Sequence, residues 1–213
     1  MKLDMLDILY GGTIHHNKEK NRQVRSESSF LTQYVLGLLS LENFFDVRRI
    51  NIYFDRGDRN EGVLEIDRVL MVSTTFDDSY FSLNESEKIR FLIEMLRVGL
   101  KEAFSYKQWD YSVVERILDN IPHNFCKNVF YTKLRCYANG YRAKVKCIQT
   151  MYDAKFIIEV YKGRKFIKQS LPYITKPDSF LFTTKIEKLL YDESKGFVLK
   201  SNTYDQCLAS VRV

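Results

Sequence analysis

Proline is nearly missing from this chain, with 3 in 213 residues, and glycine is sparse at 9. Disordered and low-complexity chains are enriched in such residues, so the sequence is expected to fold throughout. No apolar run is long enough to span a membrane. The best, YVLGLLSLENFF from Tyr34, is too short and too polar. The start, MKLDMLDILYGG, places Asp4 and Asp7 among its apolar residues and lacks the basic-then-apolar layout of a secretory signal. A cytoplasmic location is therefore expected.

Signature motifs are missing as well. The four cysteines, Cys126, Cys136, Cys147 and Cys207, include no CxxC and match no zinc spacing, so they are expected as reduced thiols in or near the core. There is no Walker loop, no GxGxxG and no GxSxG. His15 and His16 are adjacent in a polar stretch with no HxxxH partner, so no metal site is expected there. His123 follows Pro122 at a helix end, where it suits the helix dipole. Asp77 and Asp78 are adjacent acids, and neighbours on a strand face opposite ways. No catalytic residue, metal or cofactor is expected, and the chain reads as a protein that is not an enzyme.

What is there is enough for a core. Apolar residues make up 45% and charged residues 28% of a chain long enough for one large domain or two small ones. Aromatics reach 14%, which favours sheets and broad contact surfaces. The formal charge of +6 is modest and spread along the chain, and suits an acidic or polyanionic partner.

Periodicity then sets out the elements. KLDMLDILY fits a strand or a short helix. Residues 13–29 are polar and basic and read as a long loop. From Ser29 a helix is expected over about 30–44. VRRINIYFD and VLEIDRVLMVSTTF read as strands. Between them lies DRGDRNEG, Asp55–Gly62, where the acids fall three apart and two arginines neutralise them. That spacing suits neither a calcium loop nor a phosphate loop, and the segment reads as a hairpin turn. Ser82 with Glu85, or Asn84 with Glu87, caps a long helix carrying Leu92, Leu96, Leu100 and Phe104 on one stripe. A second helix opens at Asp110 and ends at Pro122, completing a helical hairpin. After His123 the chain is β-like, with turns at Asn139–Gly140, at MYDAK and at Gly163. Lys144, Lys146, Gln149, Lys165 and Lys168 mark a wet face.

The expected fold is α+β: an antiparallel β-sheet, made of a C-terminal meander plus an N-terminal hairpin, packed on a central helical hairpin. A single domain, 1–213, is expected, with a possible subdivision into 1–122 and 123–213. The basic residues of the meander interleave with Tyr141, Tyr152, Tyr161 and Phe166. A single-stranded nucleic-acid binder is thus the alternative to a protein binder.

The helical pair ESEKIRFLIEMLRVGLKEAFSYKQWDYSVVERILDNI leads into the basic meander RAKVKCIQTMYDAKFIIEVYKGRKF. Over roughly residues 82–170 this layout resembles bacterial immunity proteins that neutralise polymorphic or contact-dependent toxins. The resemblance implies a small cytoplasmic, non-catalytic protein that binds and blocks one cognate toxin domain. The basic balance departs from the acidic character common among partners of nuclease toxins, which points to a neutral or acidic toxin surface. The partner-binding candidates are Arg22 and Arg25 in the 13–29 segment, Arg56 and Arg59 at the Asp55–Gly62 turn, and Tyr106 and Trp109 between the two helices.

Overall fold

The computed structural model describes residues 3–11, 17–42, 45–55, 62–75, 78–177, 186–201 and 206–213. The chain divides into two compact units, Met1–Cys126 and Lys127–Val213.

The first unit opens with strand β1 (Met5–Tyr10), which settles the strand-or-helix ambiguity of KLDMLDILY. Helix α1 follows over Lys18–Leu39, capped by the Asn17 side chain, which accepts from the Lys20 N–H. The loop expected over 13–29 is thus helical from residue 18, and the helix expected over 30–44 begins earlier and ends at Leu39. The reason is chemical. The first half of α1 turns polar side chains inward, and Glu27, Ser28 and Ser29 are buried. Glu27 accepts from Tyr80 Oη at 2.6 Å and from Lys88 Nζ at 3.0 and 3.1 Å. A face anchored by an ion pair does not register as apolar periodicity.

Strands β2 (Arg49–Asp55), β3 (Gly62–Ile66) and β4 (Val69–Thr75) complete a mixed sheet of order β1-β2-β4-β3. β1, β2 and β4 run parallel, and β3 pairs antiparallel with β4. This corrects the expected N-terminal hairpin. The strands on either side of residues 56–61 are not neighbours, because β4 lies between them. The tight hairpin sits instead at Asp67 and Arg68, whose φ angles of 48° and 65° give the left-handed pair that a two-residue turn needs. VLEIDRVLMVSTTF is two strands, not one. Residues 56–61, with Arg56 and Arg59, lie outside the described residues.

A short 3-10 turn at Asp78–Ser82 precedes helix α2 (Glu85–Lys107). The Asn84/Glu87 capping box is closed in both directions, at 3.1 and 2.9 Å. Leu92, Met95, Leu96, Leu100, Ala103 and Phe104 are buried on the side facing β2 and β4. Gly99 allows that approach: a Cβ there would stand 2.5 Å from Ile52. Helix α3 (Ser112–Asp119) follows, with the Asp110 carboxylate accepting from the Ser112 N–H at 3.0 Å. Tyr111 Oη donates to the Arg97 carbonyl, and Arg97 pairs with Asp119 at 2.9 Å, tying α3 to α2.

The second unit is all β. Strands β5 (Lys127–Ala138), β6 (Tyr141–Thr150), β7 (Ala154–Lys162) and β8 (Lys165–Gln169) form the antiparallel meander, with β9 (Tyr173–Thr175) beside β8 on the same edge of β7. All three expected turns are present; Asn139 and Gly140 have φ of 52° and 77°. A second antiparallel sheet, β10 (Lys188–Asp192), β11 (Gly196–Lys200) and β12 (Cys207–Val211), supplies Leu189, Phe197, Leu199 and Val211 to the core formed by the inner face of the meander. The expected architecture therefore holds as α+β. The sheet packed on α2 is the mixed one, and the meander's core is shared with a second sheet.

Candidate interaction face on the meander

Register fixes which side chains leave the core. Ala143, Val145, Cys147 and Gln149 of β6 face inward, and Arg142, Lys144, Lys146 and Ile148 face outward. Gln149, read from the sequence as part of the wet face, is instead fully buried, opposite buried Asn128 in the register. Across the outer face, Tyr137, Arg142, Tyr161 and Phe166 lie in one cross-strand row. Tyr131, Lys146 and Ile157 lie in another.

Glu159 is the centre of this face. It is 5% exposed, although it stands on the outer side of β7. Its carboxylate accepts from Tyr161 Oη at 2.5 Å and Tyr131 Oη at 2.9 Å, and Lys146 Nζ stands at 3.4 Å. Burial pushes the carboxyl up, but the two phenols and the ammonium outweigh it, so Glu159 sits below the usual carboxylate range. Burial and the bond to Glu159 push the Tyr161 phenol well above its ordinary value. Lys144 Nζ lies over both tyrosine rings, 3.6 Å from the Tyr131 centroid and 4.5 Å from that of Tyr161. The Arg142 guanidinium also stands over Tyr161, at 5.5 Å, and Phe166 packs edge-on to that ring. Tyr137 at 72% and Phe166 at 48% exposure form the rim.

These shifts move acid and phenol away from neutrality in opposite directions. Glu159 stays ionised and Tyr161 stays protonated, so neither is poised to exchange a proton near pH 7. The arrangement instead fixes long side chains before any partner arrives, which lowers the entropic cost of contact.

The residues proposed from sequence fall elsewhere. Arg22 is exposed on α1. Arg25 lies 3.5 Å from the buried Asp7 carboxylate, which Arg49 approaches to 2.7 Å. Trp109 packs edge-on against Phe45 and Phe104, with ring centroids 4.9 and 5.2 Å apart. Tyr106 is 52% exposed on α2. The structure does not bring these four together into one cluster. Glu159 was missed, since a single acid in a basic strand carries no motif. The Tyr131, Lys146 and Glu159 alignment becomes visible only with the register.

A cavity of about 720 Å³ in the first unit is lined by Ile89, Ile93, Leu118, Ile121 and Phe125, with charges of both signs from Glu85, Asp119, Arg90 and Arg97. Among the described residues no group of three or more His, Cys, Asp or Glu side chains could hold a metal ion. Nor is any described helix long and apolar enough to cross a membrane. Cys147 is buried and Cys136 half-buried, as expected of thiols in or near the core, whereas Cys126 and Cys207 are exposed, contrary to that expectation. No protein-family model, curated protein or solved structure matches this chain.

Proposed function

We propose that this chain is a non-catalytic, cytoplasmic binding protein that holds and neutralises one toxin domain, in the manner of the immunity proteins its layout resembles. The observation that carries the binding reading is the prearranged outer face of the meander. Aromatic and cationic side chains, the kinds that dominate protein–protein hot spots, are locked there around Glu159. The acid–base state of that cluster favours contact over chemistry.

A basic aromatic sheet also suits single-stranded nucleic acid, where bases stack on open rings. Here Lys144 and Arg142 already stand over the Tyr161 ring, and Lys144 over Tyr131. That arrangement favours a protein partner. The test is co-expression with the product of a neighbouring toxin gene. Growth rescue and a stoichiometric complex, both weakened by Tyr137→Ala with Phe166→Ala at unchanged melting temperature, are expected. Full rescue by that double variant would reject this face as the interface.

A further inference from the structure

We infer that Arg142 and Lys144 form a carboxylate-binding pair, and that the surface they engage is an acidic patch of a folded protein. The inference rests on the reading of the chain as a protein binder and names the partner's chemistry.

The two cations are alternate residues of β6 on one face, and both lie over the ring of Tyr161. Neither has a carboxylate partner among the described residues. The acid opposite Lys144 in the register is Glu159. Its oxygens are already engaged by Tyr161, Tyr131 and Lys146. The Arg142 Nε is buried without an acceptor. Nearby Arg135 donates to the carbonyls of Thr132 and Leu134, and Lys155 pairs with Asp153 at 3.2 Å. Arg135, opposite Lys144 in the register, bonds carbonyls and no carboxylate, so positive charge gathers around Arg142 and Lys144. Two adjacent cations on an apolar, half-buried floor repel each other unless an anion joins them, and a carboxylate there bonds both at once.

Phosphate shares the charge of carboxylate, but a single strand also needs stacking platforms. The rings of Tyr131 and Tyr161 carry cations on their faces and have their hydroxyls tied to Glu159. An acidic side chain asks for the cations alone, with exposed Tyr137 and Phe166 as apolar flanks.

The experiment titrates the full chain with two probes of matched charge at one salt concentration: a synthetic Glu/Tyr peptide and an oligouridine. The Arg142→Gln/Lys144→Gln variant should bind the peptide roughly tenfold more weakly. Arg142→Lys/Lys144→Arg, which keeps both charges, should retain binding, as should a control with Lys176→Gln/Lys195→Gln. Circular dichroism melts check that each variant is folded. Equal weakening in the control and the Arg142/Lys144 pair would overturn the inference, as would tighter binding of oligouridine than of the peptide. Failure to neutralise a toxin, with the peptide result intact, would remove the inhibitor reading and leave the carboxylate site standing.

Discussion

Glu159 and Tyr161 together give this protein a stability profile limited at the acid end by the first and at the alkaline end by the second. The folded value of Glu159 lies below the ordinary 4.5, so its contribution is complete above that value and is lost as pH falls through the lower folded one. Tyr161 acts in the opposite sense. Its folded value is raised, so its contribution is complete below the ordinary 10.0 and is lost as the pH rises through the raised one. Melting temperatures recorded from neutral pH into the acid range should fall more steeply for the natural chain than for Glu159→Gln. Parallel curves would show that the cluster contributes nothing to folding. Cysteine reactivity is decided at the same scale. Burial pushes the Cys147 thiol up to about 12, and it should resist a thiol reagent in the native state, whereas exposed Cys126 and Cys207 should react quickly. Prompt labelling of Cys147 would contradict its place in the meander core.

Helix α2 is the element on which the first unit depends. Leu96 is fully buried, and Leu96→Ala should cost about 2–5 kcal/mol in a denaturant titration. Gly99→Ala inserts a methyl against Ile52 and should cost about 1–3 kcal/mol, despite the better helix propensity of alanine. In the turn between β3 and β4, Asp67 and Arg68 hold left-handed angles that side chains disfavour. Asp67→Asn/Arg68→Gly should raise stability by on the order of 1 kcal/mol, read as a shift in the unfolding midpoint.

α2 was also the element most legible in the sequence, because its capping box and its apolar stripe agree. The turns at Asn139–Gly140 and Gly163 were legible for the same kind of reason, since local chemistry and local geometry coincide. α1 was half hidden because Glu27, Ser28 and Ser29 occupy positions where a periodic pattern needs apolar residues. The pairing of β2 with β4 was hidden because a glycine-bearing polar stretch beside a strand looks like a hairpin, whereas the hairpin itself has no glycine. Of the candidate face on the meander, the basic and aromatic composition was legible. Its centre was not, because Glu159 acquires its partners only across three strands.

In the whole molecule, two cores rest on different grammars. The first unit buries helix against a mixed sheet, and the second buries one antiparallel sheet with another. The single tryptophan, Trp109, sits in the first unit among Phe45 and Phe104, so its fluorescence follows that unit's packing. The parallel strands of that unit carry a kinetic consequence. β1 meets β2 only after all of α1 and the segment beyond it has been threaded between them, and β2 meets β4 across the whole of β3. In the second unit the neighbours β5 to β8, and then β10 to β12, succeed one another along the chain. Closing long loops before any reward slows folding, and short hairpins avoid that delay. On the ribosome the first unit therefore emerges before the second but matures more slowly, while the second has the faster route to its native pairing.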